Sequence, residues 1–501
     1  MTEWSASEIR QLKRAAAKYP RKIEKNERWR LIAQSVKTHG KRECFAKYKE
    51  LKNEKFTERN TSGSIRVFDI EASLNLDDGP NLEEKQHVEA KEEKTCVPTM
   101  LVEEFKSEMD EFVGSMKVDD FECDFGAERL EVSNSMSGTV PVGEPISLEQ
   151  AKLVKKLVFA DRKPNVFDVS WKNQGFFFQS IQDLKYGLVQ VKGGPCGVIA
   201  AVQAFVLKAL LFGSKKAQNW ENPTRREQVD ALIDALCTII WQAGGNRQAR
   251  LCIHVPDLTG PASCSSRDYR ADGVIDKMLV YATTSKAQLS SLVEEHIGLF
   301  MQKSGPGTVM LLTSLILSRG GVNIKNDFDS AILGDGISLI GNHNYAGQEL
   351  VNLMLVGYAC SNVFDGTRSL SEDDDSVVLR GIQGQGKVGF LTLFEHYEHV
   401  QVGAFLKTPV FPIWVVCSES HYSVLFCDPG CETEDGSIFD VYYYDELGNQ
   451  EEVYRLSVDP RPEELVECDP DDLALVSPID KCIRTKWSGA SVDWNGSDPL
   501  L

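Results

Sequence analysis

The most restrictive feature of this sequence is an apolar stretch at residues 198–211 that has no polar face. Its fourteen residues, VIAAVQAFVLKALL, include only Gln203 and Lys208 as polar side chains. A helix that is apolar all round is buried, so this stretch predicts a central helix that other elements cover on every side. Gly213 follows as a natural helix end. The chain has 501 residues, enough for roughly two to four domains and a core that can hold such a helix.

Composition limits the class of protein and its compartment. With 42% hydrophobic and 26% charged residues, the chain is neither collagen-like nor wholly disordered. No apolar run approaches the roughly 18 residues that a membrane span needs, and the polar N-terminus lacks the apolar core of a secretory signal. The 13 cysteines, an odd number, fit free thiols in a reducing compartment better than a disulfide framework. We therefore expect a cytoplasmic or nuclear protein with no membrane segment.

Charge divides the chain into three regions. Residues 1–60 contain 17 Lys and Arg against 8 Asp and Glu, residues 61–145 contain 7 against 21, and the whole chain has a net charge of −19. High negative charge with weak periodicity predicts a largely disordered linker in the middle. Within it, residues 100–116 carry one apolar helical face, which predicts either a docking helix or a transient helix without a partner. The expected regions are a head at 1–56, an acidic linker at 57–145 and a body at 146–501.

The head is expected to form three short helices around a small aromatic core. Ser5 and Glu8 have the spacing of a capping box at the start of the first helix, and apolar residues recur at helical spacing in all three. Trp4, Trp29 and Tyr48 supply the aromatic core. With KRECFAKYKELK as its third helix, the head resembles the SANT/Myb-like domain, especially the version found in ribosome-associated J-proteins.

The basic face of the head has two interpretations. Its third helix carries four cations: Lys41, Arg42, Lys47 and Lys49. They can contact the phosphates of a nucleic acid or the surface of an acidic protein partner. Alternatively, the head is a stable helical module with a solvated basic face, because basic charge gives attraction without specificity. The sequence supports both interpretations equally.

The body has the texture of a compact α+β fold. Predicted helices are concentrated in its first half and predicted strands in its second half, which favours α+β over a doubly wound parallel sheet. Besides the buried helix, the predicted helices span 146–159, 223–242, 287–303 and 348–358. The predicted strands span 251–255, 308–315, 412–417, 421–427 and 438–444.

The buried helix begins at a junction that suits a nucleophilic cysteine. Gly193 and Gly194 end a strand-like run, and Pro195 suits the first helical position. Cys196 then lies in the first turn, where the positive helix end favours the thiolate and backbone N–H groups can stabilise an oxyanion. The alternative is a buried structural cysteine, but the Gly-Gly-Pro-Cys-Gly junction favours catalysis.

A cysteine nucleophile needs a base, and His421 has the most suitable position among the eight histidines. It opens one strand of a predicted meander, and the next strand ends at Asp445. Antiparallel pairing that sets Cys427 opposite Ile438 brings His421 close to Tyr444. Asp445 can then orient the imidazole as the third member of a Cys-His-Asp arrangement. The alternatives are a surface histidine at a strand end and an aspartate that only initiates a turn.

Gln190 is a candidate for stabilising an oxyanion. It lies six residues before Cys196, at the end of the preceding strand-like run. A side-chain amide there can donate a hydrogen bond to an oxyanion beside the backbone N–H of Cys196. The alternative is a solvated glutamine at the end of a strand.

Three other patterns do not indicate a cofactor or a metal. The run EHYEH at 395–399 is not HExxH and has no second ligand cluster, so it predicts a polar helix or turn. Cys427 and Cys431 have the spacing of half a zinc site without the other half, and we expect them to flank a hairpin loop. The glycine-rich run at 381–389 lacks the order of a phosphate-binding loop. We therefore expect neither cofactor nor metal.

Four long blocks of the body carry a family resemblance. They are KYGLVQVKGGPCGVIAAVQAF, SLIGNHNYAGQELVNLMLVGYACSNVFD, VGAFLKTPVFPIWVVCSESHYSVLF and CIRTKWSGASVDWNGSDPL. In this order they resemble the MINDY deubiquitinases, specifically the branch with the longer catalytic domain. The family's active-site Gln, Cys and His map onto Gln190, Cys196 and His421.

The resemblance implies a fold, a reaction and a substrate. It implies a papain-like cysteine protease that hydrolyses isopeptide bonds after the C-terminal Gly-Gly of ubiquitin. It also implies a preference for the polyubiquitin linkage that sends proteins to the proteasome. The expected partners are then ubiquitin and such chains.

Two other functions are compatible with the sequence. One is an adaptor with weak or no catalysis, which binds ubiquitin or associates with chromatin or ribosomes through its SANT-like head. The other is a different thiol chemistry, such as that of an acyltransferase. The head indicates a location or a partner and leaves the reaction open.

Overall fold

A computed structural model describes most of the body and part of the head. In the head it describes residues 25–40 and the single positions 8, 9, 11, 12, 15, 44, 47 and 48. In the body it describes residues 141–497 except 264–268, 330–336, 342, 370–377, 432, 434–435, 448–449 and 462–475. Nearly all of the predicted linker, including its helix at 100–116, lies outside the described residues. The linker and the three region boundaries therefore stay predictions.

The described part of the head agrees with three helices around an aromatic core. Helix α1 spans Lys25–Val36, and the described positions between 8 and 15 and between 44 and 48 are helical as well. The ring of Tyr48 packs edge-on against Trp29, with centroids 5.4 Å apart. A small buried cluster surrounds that pair: Leu12, Ala15, Trp29, Ile32, Val36 and Cys44. Trp4, the third predicted aromatic, lies outside the described residues.

Within the described residues, the body combines helices with three sheets, as the predicted α+β class requires. Its helices are α2 (Leu148–Phe159), α3 (Val169–Lys172), α4 (Cys196–Phe212), α5 (Arg225–Ala243), α6 (Lys286–Phe300), α7 (Gly307–Arg319), α8 (Gly321–Asp327), α9 (Gln348–Val356), α10 (Leu393–His396), α11 (Ala404–Lys407) and α12 (Pro478–Lys486). Its strands are β1 (Glu144–Pro145), β2 (Ala249–His254), β3 (Met278–Thr283), β4 (Thr367–Ser369), β5 (Val378–Arg380), β6 (Gly389–Thr392), β7 (Ile413–Ser418), β8 (His421–Phe426), β9 (Phe439–Tyr444), β10 (Tyr454–Asp459) and β11 (Ser491–Asp493).

The strands form one large sheet and two small ones. The large sheet has the order β11-β10-β9-β8-β7-β6, and the small sheets have the orders β1-β3-β2 and β4-β5. All neighbours are antiparallel except β6 and β7, which run parallel. Strand β1, at the end of the predicted linker, pairs with β3.

Helix α4 is the buried helix that the sequence predicts. All its residues from Cys196 to Leu211 are buried except Lys208. The carbonyl of Pro195 accepts from the N–H groups of the third and fourth helical residues, which closes the first turn. Helix α5 covers one side of α4, and strands β7 and β8 contact another. The central position of α4 therefore brings its N-terminus to the large sheet.

The register between β8 and β9 differs from the predicted one. Val424 pairs with Tyr444, and pairing stops at Phe426, so the expected pair Cys427–Ile438 is wrong by three positions. A tight turn follows β8 directly, since the N–H of Cys431 donates to the carbonyl of Asp428. Because the chain leaves the sheet at this turn, the connection from β8 to β9 is longer than the loop of a closed hairpin. Cys427 and Cys431 flank only the turn at 428–430, and the expectation that they flank the hairpin loop is wrong because Cys431 lies inside the connection between β8 and β9.

The predicted strand at 308–315 is wrong, because these residues form part of helix α7. The run TVMLLTSLILS is buried all round, and periodicity alone does not separate a buried strand from a buried helix. Two of its four polar residues support the helix directly, since the hydroxyls of Thr313 and Ser314 donate to the carbonyls four residues earlier. A run longer than the usual strand was the signal that favoured a helix.

No single helix in the described part of the chain is long and apolar enough to cross a membrane. Helices α7 and α8, bent by 88°, pass by length and composition only as a pair.

We predict that Phe205→Ala, in the middle of α4, lowers the free energy of unfolding by about 3–5 kcal/mol, because it opens a cavity at a fully buried site. Urea unfolding followed by tryptophan fluorescence measures the change. The matched control is Phe394→Ala, whose side chain is 43% exposed and whose loss should cost less than about 1 kcal/mol. Equal losses in the two variants would contradict the central position of α4.

Candidate active site

Cys196 occupies the first position of α4 and is 2% exposed. Its Sγ lies 3.9 Å from the carbonyl oxygen of Gly194 and 3.9 Å from that of Ser420, the residue just before β8. The start of the helix and the start of β8 therefore meet at this thiol. The geometry is that of a nucleophile at the end of a buried helix, facing a sheet.

Two glycines beside Cys196 are required by their surroundings. Gly194 has a φ of +135°, and a Cβ there would lie 2.5 Å from Oγ of Ser170. A Cβ at Gly197 would meet Ala346 and Val351 at 3.0 Å. These contacts bring α3 and the loop before α9 close to the start of α4, so the Gly-Gly-Pro-Cys-Gly junction forms a narrow approach to the thiol.

The loop before α9 is held against this junction by polar contacts. The indole N–H of Trp171 donates to the carbonyl of Asn344 at 2.8 Å, and the amide of Asn344 donates to Asp168 at 3.1 Å. Arg162 donates to the carbonyl oxygens of Ile340 and Gly341. The loop is thus part of the wall of the site.

His421 and Asp445 form a hydrogen-bonded pair. His421 begins β8, and its Nε2 lies 2.8 Å from Oδ1 of Asp445, which follows β9. The carboxylate is held in place because the same oxygen accepts the N–H of Leu447 at 2.9 Å. With Nε2 directed at the carboxylate, Nδ1 is the nitrogen available to Cys196. The structure therefore brings together the Cys, His and Asp that the sequence singled out, although through a different strand register.

The surroundings of His421 favour its protonated form. Burial lowers the pKa of His421, but hydrogen bonds to Asp445 and Cys196, together with the charges of both, outweigh burial and raise the pKa to about 10. The imidazole is therefore a cation at neutral pH. An imidazolium next to a cysteine favours the thiolate, which is the nucleophilic form.

Other buried cysteines lack these surroundings. Burial raises the pKa of Cys237, Cys252, Cys360 and Cys417 to about 12 in each case. These thiols stay protonated at neutral pH, and a protonated thiol is a poor nucleophile. Cys360 therefore offers a matched control for substitutions at Cys196.

Gln190 lies where the segment before α4 crosses the end of β9. Its main-chain N–H donates to the carbonyl of Glu446 at 2.9 Å. The carbonyl of Leu188, two residues before Gln190, accepts a hydrogen bond from the hydroxyl of Tyr444 at 2.8 Å. Its side chain is buried, and Nε2 donates to the carbonyl of Lys192 at 2.8 Å. The amide has a second N–H, so the predicted donor role is compatible with this contact.

Sequence reasoning missed Glu446, which is 4% exposed beside the His421–Asp445 pair. Burial and the neighbouring charge of Asp445 raise the pKa of Glu446 well above its ordinary value. The only signal in the sequence was its place directly after Asp445, which equally fits a solvated acidic turn. Its burial depends on residues far away in the chain.

The structure also bears on the patterns set aside as metal or phosphate sites. The EHYEH run forms the end of α10 and a following turn, as predicted. Within the described ranges, no group of three or more His, Cys, Asp or Glu side chains could hold a metal ion.

Comparison with known proteins gives two family matches. The profile described as "Deubiquitinating enzyme MINDY-3/4, conserved domain" matches residues 155–496. The profile described as "Myb-like DNA-binding domain" matches residues 2–66. None of the solved structures matches significantly.

Several curated proteins are similar over most of the chain. A Mus musculus protein named "Probable ubiquitin carboxyl-terminal hydrolase MINDY-4" is 44% identical over 376 residues, 73% of this chain and 49% of its own length. The Homo sapiens protein of that name is 43% identical over 399 residues, 78% of this chain and 51% of its own. The Bos taurus "Ubiquitin carboxyl-terminal hydrolase MINDY-3" is 36% identical over 274 residues, 50% of this chain and 59% of its own. The chain thus spans about half the length of the MINDY-4 relatives.

We predict that Asp445→Asn lowers the pKa of His421, because it removes the negative charge that stabilises the imidazolium and leaves only a neutral amide oxygen as the hydrogen-bond acceptor. In the unsubstituted chain the cation persists up to about pH 10, and in the variant it is lost at lower pH. Nuclear magnetic resonance of ¹³C-labelled histidine rings measures the midpoint. Asp161→Asn, at an exposed carboxylate paired with Lys156, is the control. A midpoint that Asp445→Asn leaves unchanged would contradict the prediction.

Proposed function

Because the chain belongs to the MINDY-3/4 family of deubiquitinating enzymes, we propose that it hydrolyses isopeptide bonds that follow the C-terminus of ubiquitin, with Cys196 as the nucleophile. The observation that supports this best is that Cys196, at the start of a buried helix, lies beside the hydrogen-bonded pair of His421 and Asp445. In that pair, Nε2 of His421 lies 2.8 Å from Oδ1 of Asp445. In this proposal the three residues act as a Cys-His-Asp catalytic triad.

The reaction begins with attack of the Cys196 thiolate on the carbonyl carbon of the last glycine of ubiquitin. His421 gives its proton to the departing lysine amine, so that a thioester forms and the C–N bond breaks. A water molecule then gives a proton to His421 and attacks the thioester, which releases the ubiquitin carboxylate and restores the thiolate–imidazolium pair. Asp445 keeps the imidazole oriented throughout.

The negative oxygen formed in each step needs hydrogen-bond donors. In this proposal the backbone N–H of Cys196 and the side-chain amide of Gln190 donate to it. Support comes from the position of Cys196 at a helix N-terminus, where N–H groups are unpaired, and from the buried amide of Gln190 with its second N–H.

The approach to Cys196 suits a thin peptide tail. A Cβ at Gly193 would meet nothing within 4 Å, whereas the neighbouring Gly194 is tightly enclosed. One side of the approach is therefore open and the other is closed, which favours a tail that ends in glycines over one with bulky side chains. The net negative charge of the chain also suits the basic binding face of ubiquitin. The preference for the proteasome-targeting linkage is part of this proposal and depends on the family resemblance.

The head supports a second component of the function. Residues 1–60 are basic, with 17 Lys and Arg against 8 Asp and Glu, and residues 2–66 match a Myb-like profile. We propose that the head recruits the enzyme to a nucleic acid or an acidic protein in the cytoplasm or nucleus. An adaptor that binds ubiquitin without turnover is the competing function, since the head would serve it equally well.

We predict that the purified chain forms a covalent adduct with ubiquitin that carries a C-terminal electrophile, seen as a gel shift, and that Cys196→Ala abolishes it. The reason is that only a thiolate that recognises ubiquitin reacts with such a probe. Cys360→Ala, a buried thiol outside the site, should leave the adduct intact. A folded chain that forms no adduct would favour the adaptor.

We also predict that the full chain binds duplex DNA with an affinity that falls steeply between about 50 and 200 mM salt, as expected if the head contacts phosphates. Fluorescence anisotropy with a labelled duplex measures this. A variant with Lys41, Arg42, Lys47 and Lys49 changed to Gln should lose both the affinity and the salt dependence. No salt-sensitive binding by the unsubstituted chain would exclude nucleic acid and leave the acidic protein partner.

A further inference from the structure

Glu446 is a buried carboxyl group that the reaction described above does not use. It is 4% exposed, and neither side-chain oxygen has a hydrogen-bond partner in another residue of the described chain. A buried polar group without a partner costs about 1–3 kcal/mol, and more if it is charged. This unfavourable burial occurs beside Asp445, in the candidate active site. We therefore expect the carboxyl of Glu446 to have a role in that site.

The protonation state of Glu446 decides what its side chain can do. Burial raises its pKa well above the ordinary value, as does the negative charge of Asp445, whereas a hydrogen bond from its own main-chain N–H and the cation of His421 act in the opposite direction. These surroundings favour the neutral acid form of the side chain. A neutral carboxylic acid has one O–H donor, which a carboxylate lacks.

A matching acceptor lies on the neighbouring segment. Oε1 of Gln190 is buried and also has no hydrogen-bond partner among the described residues. The main chains of the two residues are joined by the hydrogen bond from N–H of Gln190 to the carbonyl of Glu446 at 2.9 Å. A donor without an acceptor and an acceptor without a donor thus belong to residues whose backbones are direct neighbours.

The segment that carries Gln190 has little freedom to move away. The hydroxyl of Tyr444 donates to the carbonyl of Leu188 at 2.8 Å, and a Cβ at Gly187 would lie 2.0 Å from the Tyr444 ring. The end of β9 therefore holds the segment closely at two points besides the Gln190–Glu446 contact.

We propose that the carboxyl O–H of Glu446 donates a hydrogen bond to Oε1 of Gln190 and so fixes the amide with its second N–H directed at the oxyanion. Glu446 is then a positioning residue that acts through Gln190. The inference rests on the proposed oxyanion role of Gln190. Without this contact, the amide is oriented only by the bond from Nε2 to the carbonyl of Lys192.

One other buried group competes for Glu446. The hydroxyl of Tyr186 is also buried and has no hydrogen-bond partner among the described residues. Burial raises the pKa of Tyr186, and the charges of Glu221 and Glu446 raise it further. A Glu446–Tyr186 contact would support the core and would leave the amide of Gln190 unaffected. The experiment must therefore separate an effect through Gln190 from a purely structural one.

The test is a double-mutant cycle on the full chain, with hydrolysis of a fluorogenic amide of ubiquitin as the readout. Glu446→Met should lower kcat by about tenfold or more with little change in KM, and Gln190→Ala by about 10²–10³. Glu446→Gln should retain most of kcat, since its amide N–H can replace the O–H. In the Gln190→Ala background, Glu446→Met should cause no further loss.

Two measurements keep folding and chemistry apart. Alkylation of Cys196 by iodoacetamide passes through no oxyanion, so Glu446→Met should leave its rate unchanged. The infrared C=O stretch of a protonated carboxyl, assigned by its absence in Glu446→Gln, should shift in Gln190→Ala because the acceptor is lost. This shift tests the contact even if Glu446→Met does not fold.

Each failure has a distinct reading. If the unsubstituted chain cleaves no ubiquitin amide, the proposed function fails. If the unsubstituted chain cleaves the ubiquitin amide and Gln190→Ala has the same kcat, Gln190 does not stabilise the oxyanion. The inference about Glu446 then fails as well. If Gln190→Ala lowers kcat but the losses of kcat in the two single variants multiply in the double variant, the contact between Glu446 and Gln190 is refuted. It is also refuted if the infrared band of Glu446 does not shift in Gln190→Ala.

Discussion

Helix α4 is apolar on every side, and the position of the active centre follows from its burial. A helix of this kind removes the most apolar surface from water when other elements cover it on every side. Here it lies between α5 and the large sheet. Its first residue is Cys196. Burial of the helix therefore sets the thiol against the start of β8, where the candidate base His421 lies.

The His421–Asp445 pair depends on the same arrangement. The start of β8 reaches the thiol because α4 packs on β7 and β8, and Asp445 reaches His421 because β9 is paired beside β8. Burial by itself would lower the pKa of His421 and favour the neutral imidazole. The hydrogen bonds to Asp445 and Cys196 and the charges of both groups outweigh burial and raise the pKa. Packing and electrostatics are thus coupled at this site, since the elements that desolvate His421 also bring its partners.

Gln190 and Glu446 extend this coupling to the other side of the thiol. The segment before α4 is bonded to the end of β9 through Leu188 and Gln190. The candidate oxyanion donor and the candidate general base are therefore supported by the same strand. A shift in β9 would therefore disturb both residues.

The sequence by itself determined the central helix, the class of fold and a cysteine in the first turn of that helix, because an all-apolar helix is buried in any compact fold and the preceding Gly-Gly-Pro marks its start. The predicted start differs by one residue, since Pro195 caps the helix and Cys196 is its first residue. It also indicated that His421 and Asp445 meet. Only the tertiary structure decided the register of β8 and β9, the helical state of 308–315 and the burial of Glu446. The physical reason is that strand pairing depends on where the 427–438 connection leaves the sheet, and desolvation depends on residues far apart in the chain.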